Sequence, residues 1–171
     1  MKRFLTTAIL LFTAASLFAA KPYKVSKGSV DVLRQDATAT WTIDLSKATF
    51  EEKQSFEAWC EDEYQTRVQL MNDAFFNSFN NYSKGLKLVN EGSAPYKLVF
   101  AVSDFEQKQG PGMWGSMFIR VSGVIDIVDC ASGETVCEVE VNDVRGDTDF
   151  VQNDRFPKTM DWLCRDLFKL K

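Results

Sequence analysis

Between Phe56 and Tyr82, apolar side chains recur at steps of three and four residues: Phe56, Trp59 with Cys60, Tyr64, Val68, Met71, Phe75, Phe79 and Tyr82. Steps of that size hold one side of a 3.6-residue helix, and the stripe runs for about seven turns. The spacing predicts one long amphipathic helix, opened by a capping box at Thr49 and Glu52 and stopped near Lys84 by Gly85. A helix apolar on one side must lay that side on a second layer. The group Phe75, Phe76 and Phe79 is most simply part of that buried layer; its alternative is the wall of a ligand pocket.

The second layer reads as a sheet. Thr40 to Leu45 alternates polar and apolar residues with period two, and a weaker strand is expected at Ser29 to Leu33. Leu86 to Val89 forms a short strand, and a turn around Gly92 to Pro95 leads into another from Tyr96 to Phe105. In that strand the run Leu98 to Val102 is apolar on both faces, which places it centrally. Glu106 to Gly115 carries Gly110, Pro111, Gly112 and Gly115 and reads as a loop. Phe118 to Val128 and Thr135 to Val141 follow as a hairpin through Ala131, Ser132 and Gly133. With Gly133 in the left-handed position, Ile127 faces Cys137 and Ile125 faces Val139. Phe156, Met160, Leu163, Cys164, Leu167 and Leu170 close the chain at helical spacing, with Asp154 as cap and Pro157 in the first turn. The expected fold is α/β in the α+β sense: a two-layer sandwich of two helices on a mixed, mainly antiparallel sheet of five to six strands.

Residues 1–20 have the layout of a secretory signal: Lys2 and Arg3, an apolar run from Phe4 to Phe18, then Ala19 and Ala20. That run is short for a membrane span of about 20 residues, so cleavage is expected, with residues 21–171 as a single globular domain and no stable membrane insertion. Loss of Lys2 and Arg3 takes the formal charge from −4 to −6. An acidic chain without a Lys/Arg cluster is a poor match for nucleic acid or an anionic membrane surface. Export to the periplasm or medium also favours disulfides among Cys60, Cys130, Cys137 and Cys164. Cys60 with Cys164 is the first pairing, since both lie on apolar helix faces over one sheet. It would close a loop of about 100 residues and contribute about 4 kcal/mol. A direct Cys130 to Cys137 bridge ranks second, because it needs a turn that sets Asp129 against Glu138. Zinc is the rival reading of the four cysteines, but no C-x-x-C spacing and no histidine supports it.

The chain has no histidine. That removes the commonest general base and every Ser-His or Cys-His nucleophile arrangement. Asp143, Asp147, Asp149 and Asp154 could offer oxygen ligands to calcium, but no bidentate Glu closes the set, and a solvated strand-to-helix connection is the plainer reading. No cofactor is expected. The glycine-rich Gly110 to Gly115 segment lacks the Lys-Ser/Thr pair of a phosphate cradle. It could instead present Met113 and Trp114 to a partner, or simply connect two strands with Trp114 folded on the sheet edge. The triplet Arg145-Gly146-Asp147 matches a cell-attachment motif by spelling alone.

Several strings give the chain a family likeness. These are Ala94-Pro95-Tyr96-Lys97-Leu98-Val99-Phe100 opening a strand, and Gly123-Val124-Ile125-Asp126-Ile127-Val128-Asp129 leading through Ser132-Gly133-Glu134 into a hairpin. With Gly146 and the closing helix, the chain resembles secreted Bacteroidetes-type envelope proteins of the group that includes the TolB amino-terminal domain and the periplasmic part of the curli secretion lipoprotein. The resemblance implies a non-enzymatic assembly or interaction module whose partner is another envelope protein or a surface polymer. A small-ligand carrier with its pocket between the long helix and the sheet is the alternative, and a carboxylate-based hydrolase the third.

Overall fold

Alternating residues set the sheet, and the computed structural model describes it for residues 21–110, 116–149 and 151–171. Residues 1–20 and the loop with Met113 and Trp114 lie outside that description. The described strands are β1 (Tyr23–Gly28), β2 (Thr38–Asp44), β3 (Thr49–Phe50), β4 (Gln54–Ser55), β5 (Lys87–Leu88), β6 (Tyr96–Gln109), β7 (Met117–Asp129) and β8 (Thr135–Arg145). They form one mixed sheet in the order β1-β8-β7-β6-β2-β5, with β3 following β2 along the same side of β6. The helices are a single turn α1 (Phe56–Cys60) and the longer α2 (Tyr64–Tyr82) and α3 (Gln152–Leu167). The α+β class is as expected, while eight strands replace the five to six.

The extra strands have physical causes. Ser29 to Leu33 is not a strand: the Ser29 hydroxyl accepts the Asp31 N–H at 3.1 Å and starts a 3-10 turn, Val30–Arg34, whose three-residue period buries Val30 and Leu33 together. The edge strand is instead β1, which carries Lys24 and Lys27 and only two alternating apolar residues, Tyr23 and Val25. The capping box at Thr49 is replaced by a two-residue ribbon of β3 and β4, and the true cap is Ser55, which accepts the Ala58 N–H at 3.2 Å. The long helix is broken as well. Glu61 sits at φ +51°, and Glu61, Asp62 and Glu63 form a 3-10 turn before α2 restarts. Three carboxylates just ahead of an N-terminus favour the helix dipole, whereas inside one continuous helix they would repel one another. At the far end Ser83, not Gly85, terminates α2: its N–H reaches Phe79 C=O at 2.9 Å and its hydroxyl reaches Leu86 C=O at 2.6 Å.

The expected loop from Glu106 is strand as far as Gln109, because β7 pairs with β6 from Tyr96↔Asp129 to Gln109↔Met117, with one register shift between Val102 and Asp104. Gly123 permits a close approach within that pair: a Cβ there would stand 2.3 Å from the Ala101 carbonyl oxygen. At the hairpin, Gly133 takes φ +73° and the expected register is present, Ile127↔Cys137 and Ile125↔Val139. Asp154 falls in the first turn of α3 rather than at its cap, which is Val151, and Pro157 lies further inside the helix than its first turn.

One face of the sheet is covered. Leu98, Phe100 and Val102 of β6, Ile125 and Ile127 of β7, and Cys137, Val139 and Val141 of β8 are buried in one continuous core with Met71, Phe75 and Phe79 of α2 and Phe156, Met160 and Leu163 of α3. Trp41 of β2 stacks on Phe75 and Phe76 with ring centroids 5.6 and 5.8 Å apart, and the Tyr23 hydroxyl donates to Leu163 C=O at 3.3 Å. Both long helices therefore lie on the same side, α3 over β7 and β8 and α2 beside it.

Candidate functional site

Among the described residues, the opposite face of the sheet carries no helix. Cross-strand register sets its rows. One runs Asp44, Ala101, Val124, Glu140, Lys24, and the next Thr42, Val99, Asp126, Glu138, Lys27. Small side chains occupy the middle of the first row and charged ones its ends. Next to it Ser103, Ser122 and Gly123 keep the surface low, and the result is a concavity of about 460 Å³ whose rim includes Asp44, Lys47, Glu140 and Asn142. The rim carries both signs: the Lys24 ammonium lies 2.9 Å from Glu140, and Asp44 is held below the usual carboxylate range by the Ser46 N–H. Among the described residues the face exposes no aromatic ring. Phe118, on its far end, is buried between the Arg120 and Arg145 guanidinium groups, 5.7 and 4.5 Å from its centroid.

Asp126 is the unusual group on this face. Its Oδ1 is buried without a hydrogen-bond partner, and Glu138 stands directly opposite it. Burial, then the Glu138 charge, pushes its carboxyl above the ordinary value, against a smaller opposing pull from Lys27. Asp126 and Glu138 already face each other in the register that the Gly133 turn dictates, so this pair was readable from the sequence.

A second concavity, of about 340 Å³, is lined by Glu51, Glu52, Ser103, Asp104, Glu106, Ser122 and Asp143. Sequence reasoning missed it, because Glu51 and Glu52 read there as a helix start. Glu51 and Glu52 at φ +55° and Asp143 at φ +51° turn the chain around it. Three of its carboxylates have close partners: Asp104 accepts the Glu52 N–H at 2.9 Å, Glu51 meets Lys53 at 2.7 Å, and Glu106 pairs with Lys108.

The residues singled out by spacing are not gathered into one site. Met113 and Trp114 fall outside the described residues. Asp143 stands with Ser122, whose hydroxyl accepts its N–H at 3.0 Å, away from the other three acids of its stretch. Asp147, Asp149 and Asp154 act together on Lys158, which bonds to Asp149 and whose ammonium they hold in its charged form. No group of three or more His, Cys, Asp or Glu residues able to hold a metal occurs among the described residues. Gly146 of the Arg145-Gly146-Asp147 triplet is buried against Thr159, so the triplet is not displayed as a loop tip.

All four cysteines are free thiols, and the expected Cys60 to Cys164 bridge is not formed. Cys60 Sγ lies 3.9 Å from Arg67 Nη1, while Cys164 Sγ donates to Phe75 C=O at 3.6 Å. Arg67 and Phe75 are two turns apart on α2, about 12 Å of rise, so the thiols sit at different levels of the helix pair. Cys130 is exposed and Cys137 buried, on opposite faces of the hairpin, which rules out their direct bridge in this geometry. Burial raises the thiols of Cys60, Cys137 and Cys164.

No protein-family model matches the chain, and no curated protein matches it. Among solved structures, a variant PelC dodecamer from Paraburkholderia phytofirmans is similar at 13% identity over 85% of this chain and 95% of that one, with a TM-score of 0.46. A second crystal form of the PelC dodecamer gives 0.45 at the same identity and coverage. A neuraminyllactose-binding hemagglutinin homolog from Helicobacter pylori is similar at 8% identity over 78% and 83% of the two chains, with a TM-score of 0.36. Likenesses this distant carry no inference about function.

Proposed function

We propose that the chain is an exported, non-enzymatic interaction module of the bacterial cell envelope, periplasmic or secreted, which binds another envelope protein through the sheet face that the helices leave uncovered. The observation that carries this reading is the concavity over Ala101, Gly123 and Val124: small apolar side chains at its centre and charges of both signs at its rim, the division of a protein-contact surface into apolar core and polar rim. The leader layout of residues 1–20 and the resemblance to envelope proteins support the compartment. Sugar polymers are commonly gripped by exposed aromatic rings, and the lack of such a ring among the described residues of this face favours a protein over a surface polymer.

The two rival readings lack their physical parts. A small-ligand carrier needs space between α2 and the sheet, and Phe75, Phe79 and Phe100, each 0% exposed, fill that space with Trp41 against them. A carboxylate hydrolase needs a raised acid inside a cleft. Asp126, which is raised, does not line the acidic concavity, and Glu51, which does, is held low by its bond to Lys53.

The test is native mass in envelope extracts. Ala101→Arg with Val124→Arg should release the protein from its complex as free chain, while Tyr82→Arg on the helix side should leave the complex intact. Equal behaviour of the two variants would overturn the assignment of this face.

A further inference from the structure

The sheet has a second surface open to a partner, the outer edge of β1, and its chemistry selects the partner. Asn142 N–H donates to Pro22 C=O at 2.9 Å, and the pairing continues Tyr23↔Val141, Lys24↔Glu140, Val25↔Val139. In an antiparallel pair, inward-bonded and outward-facing residues alternate. Residues 22 and 24 thus turn their backbone groups toward β8, and Tyr23 and Val25 turn theirs away from it. β1 ends the strand order, so no described strand lies beyond it. Val25 is 37% exposed, one of the few large apolar residues at the surface among those described.

Beside this edge lies a concavity of about 700 Å³ lined by Tyr23, Val25 and Leu170 and by Lys21, Lys24 and Lys171. Glu140 is the one acidic side chain among its lining residues, and it is engaged by Lys24. Lys21 and Lys171 make no ion pair with any described residue. Three lysine ammonium groups against one acidic side chain, on a chain of formal charge −4, leave this strand edge with an excess of positive side chains. Lysines on an edge discourage a second copy of the same edge by like-charge repulsion and favour an acidic strand. The register break after Val25 limits the regular pairing surface to a short stretch.

We propose that β1 and the adjoining groove accept an extended acidic peptide segment of a partner protein, added to the sheet by backbone hydrogen bonds to Tyr23 and Val25. Its alternate side chains divide by face: apolar ones lie against Val25 and Leu170, and carboxylates reach the lysines. This site adjoins the uncovered face, sharing Glu140 and Asn142 with the rim of its concavity, but its backbone edge is its own, and either can hold without the other.

The probe is a capped alternating peptide, Glu-Val-Glu-Val-Glu, titrated into the ¹⁵N-labelled protein, with Lys-Val-Lys-Val-Lys as its charge-reversed control. The acidic peptide should shift the Tyr23 and Val25 amides most, slow their hydrogen exchange at saturation, and bind at least tenfold tighter than the basic one at low salt. Val25→Pro deletes an outward N–H and no inward bond, and it should weaken binding by about three- to tenfold. Lys21→Glu with Lys171→Glu leaves the backbone edge intact and should reverse the order of the two peptides, so a folding defect in one variant leaves the other decisive. Shifts centred on Ala101 and Val124, equal binding of both peptides, or unchanged binding by both variants would each overturn the proposal. Binding to vesicles rich in phosphatidylglycerol with no response to the acidic peptide would overturn it too, and would make the lysines a membrane-facing patch.

Discussion

Truncating Phe75 separates a packed interior from a ligand pocket, because the two predict different costs. Phe75 is 0% exposed and touches three rings, with centroids 5.6 Å from Trp41, 5.9 Å from Phe79 and 6.2 Å from Phe100. A buried aromatic side chain covers about 150–250 Å², worth about 4–6 kcal/mol at 25 cal/mol per Å². Measured Phe→Ala changes in cores cost about 3–5 kcal/mol, and we expect Phe75→Ala to fall in that range. For a chain of this size each kcal/mol moves the melting midpoint by about 2–4 °C, which gives a drop of about 6–20 °C. The assay is urea unfolding followed by tryptophan fluorescence, with Trp41 reporting directly because it stacks on Phe75. Phe76→Ala on the neighbouring position is the control, since Phe76 is only partly buried and should cost less. If Phe75 lined an existing pocket, its loss would enlarge empty space and remove few contacts. A cost under about 1 kcal/mol would mean that Phe75 lines a pocket and not a packed interior.

Three further perturbations test other parts of the account. Gly123→Ala puts a Cβ 2.3 Å from the Ala101 carbonyl oxygen and 3.0 Å from the Val102 Cα, so β6 and β7 must part locally; a loss of about 1–3 kcal/mol in urea midpoint analysis is expected, and a neutral result would contradict the close approach. Asp126 has its folded pKa raised above the ordinary 3.8, so the stability it contributes is full below that value and is lost as pH rises through the folded value. Urea midpoints from pH 4 to 8 should therefore show Asp126→Asn gaining on the parent protein as pH rises, and a constant difference would count against the raised carboxyl. With all four cysteines free and Cys130 alone exposed, Ellman's reagent should titrate one thiol rapidly in the native protein and four in denaturant. Fewer than four in denaturant would restore a disulfide.

The elements readable from sequence are those whose own side chains carry a period. The stripe from Tyr64 to Phe79, the alternation of Thr38–Asp44, and the Gly133 turn that fixes Ile127 opposite Cys137 are of this kind. The break at Glu61 was hidden because a 3-10 turn of three residues advances the chain without disturbing the apolar spacing from Cys60 to Tyr64. β1 was hidden for another reason: its alternation is only Tyr23 and Val25 before the register breaks, and only Tyr23 is buried, too short a period to mark a strand. The paired cysteines failed because helical spacing gives the face a residue occupies but not its height along the neighbouring helix. The candidate contact face takes one or two residues from each of several strands, and only the register between strands brings Ala101, Val124 and Glu140 into one row.

In-cell photocrosslinking is the most direct test of the claim that the uncovered face meets a protein partner. A photoreactive amino acid is placed in turn at Val124 and Ala101 on that face, and at Tyr82 on the helix side, in the full chain expressed in its own envelope. If the uncovered face meets a protein, one discrete protein adduct is shared by the Val124 and Ala101 positions and absent from Tyr82. Adducts at Tyr82 but not at Val124 or Ala101 would contradict it.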